Sequence, residues 1–296
     1  MAKKTGLVLT GGGLRGICAH AGALQALSEE GCRFDAVIGT SAGAIVGSLY
    51  AAGVPAPEIV RRISAIRRED YLDPIGFFQL LRDAARRFRG VTGYYRGEAL
   101  LAWLRRNLAP KTRIEECDPP FHVTVTNVSR GLPQVKTAGP LAEFARASAA
   151  IPMAFQLQEV EGELYADGGA VNNVPVDELV ELRPELEQLL IVTALDPTPG
   201  EPPVDNSFLD KPWTPFRALA RVLEAIAAEQ KIENLEAGGR PVQTFRIEAP
   251  DLDLDEPEKT AECIRRALED ARRRIADGTV DLSEVRKLEA EPPLPS

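Results

Sequence analysis

The pentapeptide Gly39-Thr40-Ser41-Ala42-Gly43 is a G-x-S-x-G sequence between an apolar β-type run, Ala36-Val37-Ile38, and a helical pattern from Ser41 to Ala52. A strand-turn-helix of this kind holds a serine on a sharp bend. Its hydroxyl projects from the carboxyl end of the strand, and the helix dipole lies behind it. The flanking glycines let the chain bend that tightly. The chemistry would be nucleophilic attack on an acyl carbonyl; the ordinary alternative is a glycine-rich turn with Ser41 as helix N-cap.

A serine nucleophile needs a base, and the chain has two histidines. His20 falls one helical turn past Gly16, where packing or capping is its expected task. His122 is the last histidine and begins a predicted strand, so a serine, acid, histidine order would need its acid between residues 41 and 122. A carboxylate base is the better fit. In Tyr165-Ala166-Asp167-Gly168-Gly169 an acid ends a predicted strand, and two glycines let backbone and substrate approach it closely. A plain Asp-Gly turn is the alternative there.

A third glycine cluster precedes both. Gly11, Gly13 and Gly16 satisfy G-x-G-x-x-G between a strand and a helix, and Asp35 follows Gly16 by 19 residues, as in a dinucleotide fingerprint. That acid should close the second strand, yet Asp35 stands before it, away from the carboxyl-end crevice. What remains is a turn whose N–H groups and helix N-terminus suit a developing negative charge, an oxyanion included.

Taken in order, Gly11-Gly12-Gly13-Leu14-Arg15-Gly16, Gly39-Thr40-Ser41-Ala42-Gly43 and Asp167-Gly168-Gly169 resemble the three signature blocks of patatin-like phospholipases. Ala147-Ser148-Ala149-Ala150-Ile151-Pro152 is similar to a further block of that family. The resemblance covers about residues 6 to 195. It implies a three-layer α/β/α sandwich with Ser41 as nucleophile and Asp167 as general base. It also implies an oxyanion hole in the first glycine block, Gly11, Gly12, Gly13 and Leu14. Gly16, Gly39, Gly43, Gly168 and Gly169 would support these residues, and Arg15 would orient the loop or meet a phosphate. The implied substrate is a phospholipid or other acyl-ester lipid, with no cofactor and no metal.

The elements that must position these residues follow from patterning. Leu7 to Thr10 and Ala36 to Ile38 read as buried strands, each followed by a helix, which implies a mostly parallel α/β sheet covered on both faces. Further strands are expected at Phe121 to Val128, Gln134 to Thr137, Phe155 to Val160, Leu164 to Ala166, Leu189 to Leu195 and Val242 to Ile247, with a hairpin turn at Glu161-Gly162. Ala36 to Pro57 is uncharged and carries Gly39, Gly43 and Gly47 at G-x-x-x-G spacing. A strand, turn and buried helix explain that run better than a membrane span. The proline-rich segment 196–215 reads as an irregular connection or flap. One domain over residues 1–280 and a loose tail over 281–296 are expected.

Composition narrows the class. The 296 residues carry 35 basic and 44 acidic side chains, a net charge of −9 that argues against nucleic acid as partner. Four dispersed cysteines read as reduced, buried thiols of a cytoplasmic protein. Between Arg61 and Arg113 the balance reverses, with 13 basic and 5 acidic residues. Within it Phe77, Leu81, Ala84 and Phe88 recur at helical spacing beside arginines, either as a peripheral membrane contact or as a core-packing helix. Asp251, Asp253, Asp255 and Glu262 imitate a calcium loop, but Glu256 replaces its glycine, and a helix start is the better reading. The function expected is acyl-ester hydrolysis. A small-ester or thioester hydrolase, an acyltransferase, or a non-catalytic lipid-binding or regulatory protein are the alternatives.

Overall fold

Strand β1 (Thr5–Leu9) shows how the sequence builds two layers around one sheet. Leu7 and Leu9 point to one face, into a core shared with helix α1 (Gly13–Glu29), whereas Val8 points to the other. All five β1 residues are buried, as a central strand with helices on both faces requires. The chain is described by a computed structural model that covers residues 2–76, 85, 91–194, 237–250, 252, 254 and 256–287.

After α1 come β2 (Ala36–Thr40), α2 (Ala42–Ala51) and α3 (Ala56–Ser64). Then follow β3 (Gly93–Tyr95), α4 (Glu98–Leu108), β4 (Phe121–Asn127), β5 (Leu132–Lys136) and α5 (Leu141–Ser148). The remaining elements are β6 (Met153–Phe155), β7 (Gln158–Val160), β8 (Glu163–Asp167), α6 (Val176–Leu182), β9 (Gln188–Thr193), β10 (Val242–Arg246) and α7 (Thr260–Ala276). The main sheet runs β10-β9-β1-β2-β4-β8-β7, with β5 also paired to β4. From β10 to β4 every neighbour is parallel, and β5, β7 and β8 add an antiparallel edge. The α/β class with a mostly parallel sheet is what the alternating strands and helices predicted.

The larger core cluster lies between the sheet and α1, α2, α4, α5 and α7. The smaller joins Val8, Ile38 and Ile191 to Val176 and Leu179 of α6. Residues 36–57 form β2, α2 and the start of α3, and among the described residues no helix is long and apolar enough to cross a membrane. Glu161 and Gly162 both have positive φ and close the β7–β8 hairpin, as expected.

Two expectations need correction. The strand expected from Phe155 to Val160 is two short strands, and β6 pairs with β3 in a separate two-stranded sheet. The tail is not loose from residue 281. Lys3 bridges to Val285, Cys32 bridges to Lys287, and Arg286 pairs with Asp35 at 3.0 Å. Val285 and Leu282 are buried, which gives this stretch an apolar anchor. Asp35 is thus spent at the amino edge of the sheet, also accepting from the Thr5 N–H, far from any nucleotide crevice. Most of the stretch that carries Phe77, Leu81, Ala84 and Phe88, the proline-rich segment, the three aspartates 251, 253 and 255, and residues 288–296 lie outside the described residues.

Candidate active site

Two of the glycines flanking Ser41 are required by contact. A Cβ on Gly39 would stand 2.4 Å from the Gly43 carbonyl oxygen, and one on Gly43 would stand 2.0 Å from that of Leu9. This crowding packs the first turn of α2 directly onto β1 and β2. Gly43→Ala is therefore expected to cost about 3 kcal/mol or more, because rigid backbone must move. A chemical melt would reveal the loss as a lower midpoint, and an unchanged midpoint would mean that the elbow has slack.

Between those glycines Ser41 adopts φ 51° and ψ −114°, a strained backbone for a residue with a side chain. Its N–H donates to Ser148 Oγ at 2.8 Å, and Ser148 Oγ donates to the Thr124 carbonyl at 2.6 Å, tying the bend to α5 and β4. The Gly43 N–H donates to the Thr10 carbonyl at 3.1 Å. The elbow is held from three sides, and the strain persists because its neighbours over-determine it.

The Ser41 hydroxyl donates to Asp167 Oδ2 at 2.7 Å. Asp167 is the last residue of β8, opposite Val125 of β4, and is 4% exposed. Its other oxygen accepts the Gly169 N–H at 2.7 Å. Gly168 is pressed against β4, where a Cβ would lie 2.3 Å from the Thr124 carbonyl oxygen. Burial pushes the Asp167 carboxyl up to about 7, against the opposing pull of the Ser41 hydroxyl and the Gly169 N–H.

The first glycine block lies across from this pair. Gly12 and Gly13 have φ of 150° and 56°, which turns the chain from β1 into α1. The N–H groups of Gly12, Gly13 and Leu14 have no acceptor among the described residues, and they open α1 at its positive end. Gly11 differs from expectation. Its N–H donates to Asn173 Oδ1 at 2.9 Å, so it shapes the turn and has no proton left for an oxyanion. Gly16 packs on Ala42, where a Cβ would sit 3.0 Å from that of the alanine. Arg15 donates to the Ala194 carbonyl beyond the end of β9, which anchors the loop to the sheet.

Neither histidine joins the site. His20 is fully buried, and its Nε2 lies 2.7 Å from the Thr10 carbonyl, which fixes that nitrogen as the donor. Burial holds its pKa down to about 4. His122 pairs in register with Ile38, nearer the amino edge of the sheet than Thr124, which lies opposite Thr40. Burial foremost, and the charge of Arg183, hold it down to about 4 as well.

Two residues of the site escaped sequence reasoning. Asn173 was one polar residue in a polar turn, and Ser148 lay in a small-residue block with no role attached. The signal for Ser148 was that block itself; for Asn173 there was none. Ser41, Gly13 and Leu14 line an apolar pocket of about 610 Å³, its open mouth included. Described arginines of the basic region form local ion pairs: Arg61 and Arg62 with Glu58, Arg67 with Glu69, Arg105 with Glu143, Arg106 with Asp70 and Arg113 with Glu115.

Residues 7–180 match the family model of the patatin-like phospholipases. That is more than half of the chain, and the chain belongs to this family. It is 31% identical over 174 residues to lysophospholipase NTE1 of Saccharomyces cerevisiae, covering 59% of this chain and 10% of the relative. It is 29% identical over 211 residues to an uncharacterised NTE family protein of Mycobacterium tuberculosis, covering 70% and 55%. The chain thus spans about a tenth of the yeast relative and about half of the mycobacterial one. Among solved structures it resembles VipD from Legionella pneumophila, with a TM-score of 0.43 and 17% identity, over 93% of this chain and 67% of the other. For ExoU, in complex with SpcU from Pseudomonas aeruginosa, the values are 0.45, 18%, 93% and 52%.

Proposed function

We propose that this protein is a serine acyl hydrolase that cleaves acyl esters of lipids, phospholipids among them, with Ser41 as nucleophile and Asp167 as general base. The observation that carries the reading is the 2.7 Å hydrogen bond from the Ser41 hydroxyl to a buried carboxylate, at the wall of an apolar pocket. Asp167 takes the Ser41 proton as Oγ attacks the ester carbonyl, and the N–H groups of Gly12, Gly13 and Leu14 hold the oxyanion. Collapse of that intermediate expels the alcohol, which leaves with the proton from Asp167. Water, activated by Asp167 in turn, then releases the fatty acid. Two helix N-termini, those of α1 and α2, converge on the place where negative charge develops, and each favours it. Family membership and lysophospholipase-named relatives support lipid as the substrate class. Peripheral contact with a membrane from the cytoplasmic side is part of the proposal; the net basic surplus between residues 61 and 113 supports it, although several of its arginines are held in local ion pairs.

The test is fatty-acid release from mono- and diacyl phosphatidylcholine, presented in vesicles with and without anionic lipid. Release from either lipid, faster on anionic vesicles, is the expected result. Release indifferent to anionic lipid removes the membrane contact. Cleavage of small esters or thioesters alone would replace the lipid reading with that of a small-ester hydrolase.

A further inference from the structure

The pocket beside Ser41 has an order that its apolar character alone does not convey. Leu14 and Ile17 line it from α1, and Ala42 and Ile45 from α2, in each case two residues three apart. The same spacing recurs in Leu100 and Trp103 of α4, and in Ile63 and Ile66 at and just past the end of α3. Residues three apart on a helix share a face and stand about 4.5 Å apart along its axis. On α1 and α2 the first of each pair belongs to the catalytic turn and the second lies one turn deeper, so the pocket descends away from the nucleophile.

The wall of the pocket is tied. The Tyr71 hydroxyl donates to the Leu254 carbonyl, joining segments 183 residues apart that both line the pocket. Trp103 is the largest side chain among the described residues of the lining, and it is buried, packed into the core cluster around α4.

We propose that Trp103 is the specificity-determining residue that limits acyl-chain length, with the chain bound in this pocket by its methylenes alone. The proposal rests on the serine hydrolase reading of the site and adds its substrate selectivity. Each methylene gained or lost in such a pocket changes kcat/KM by about tenfold or more. Removing the indole should therefore extend the accepted chain by several carbons.

The experiment is a series of p-nitrophenyl esters from acetate to palmitate, assayed with wild type, Trp103→Ala, Trp103→Phe and Ile17→Phe. Ile17 is only partly buried and tolerates a larger side chain better than its neighbours. Relative to wild type, Trp103→Ala should raise the palmitate-to-butyrate ratio of kcat/KM about tenfold or more, Trp103→Phe should raise it less, and Ile17→Phe should lower it. If Trp103→Ala does not fold, the opposite shifts of Trp103→Phe and Ile17→Phe carry the test. Ratios that stay within twofold of wild type in all folded variants overturn the length limit and leave the hydrolase reading intact. Failure of wild type to cut any ester, together with failure of Ser41 to react with a fluorophosphonate, overturns both.

Discussion

Ser41→Ala is expected to abolish hydrolysis, with a loss of about 10⁴-fold or more in kcat and no loss of fold. The magnitude follows from covalent chemistry. Without Oγ no acyl-enzyme forms, and only the oxyanion donors and the pocket remain to assist water. The fold should survive because the contacts holding the bend do not involve the hydroxyl. The Ser41 N–H still donates to Ser148, the Gly43 N–H still donates to Thr10, and alanine fills the same space at Cβ. Intact-mass labelling with a fluorophosphonate gives the cleanest reading: one adduct on wild type, none on Ser41→Ala, with identical far-UV circular dichroism. An adduct that persists in the variant would place the nucleophile elsewhere, and an unlabelled wild type would favour a lipid-binding protein without turnover.

The same residue carries an instructive contrast. Its φ of 51° is costly for any side chain, and Ser41→Ala keeps that cost while Ser41→Gly removes it. Strain stored in a single residue of this kind is worth on the order of 1 to 3 kcal/mol. An inactive glycine variant that is more stable than the inactive alanine variant would show that the elbow trades stability for the position of its hydroxyl.

How much of this was open to the sequence depends on how far apart the cooperating residues lie. The three glycine blocks were legible because each is a local device. A bend that presses Gly43 against Leu9, or Gly168 against Thr124, admits no side chain, and the sequence must therefore write glycine there. The strands of the sheet centre were legible for a similar reason, since burial on both faces leaves short apolar runs such as Ala36-Val37-Ile38. Asn173 was not legible, because the contact that marks it out is with Gly11, 162 residues away. Ser148 is 107 residues from the N–H it receives. Helix α6 has seven residues after a proline, and β3 has three, too short for either period to register. The order of the pocket was hidden for another reason. Every amphipathic helix has apolar residues three apart, and only packing shows which four pairs face one cavity.

Asp167→Asn should cost about 10³- to 10⁴-fold in kcat/KM and, unlike other changes near the pocket, should also remove the pH dependence of the reaction. In wild type the carboxyl must be ionised to accept the Ser41 proton, and burial has pushed it up to about 7. Activity should therefore rise with pH as a single ionisation and level off above about 7; asparagine has nothing to ionise, and its residual rate should lack that limb. Stability should move in the opposite sense. The unfolded carboxyl titrates near its ordinary 3.8, so between about 4 and 7 the folded state binds the extra proton. Raising the pH through that window destabilises wild type, by up to about 4 kcal/mol at 1.36 kcal/mol per pH unit, and above 7 the penalty is constant. The asparagine variant escapes it, so its stability relative to wild type should climb from pH 4 to pH 7 and then hold level. Any fixed cost of the substitution shifts that curve without changing its shape. Denaturant melts of both proteins at pH 5 and pH 8 suffice to read it. A difference that does not grow would mean that Asp167 ionises in the fold as it does in the unfolded chain, and that burial has not raised its basicity.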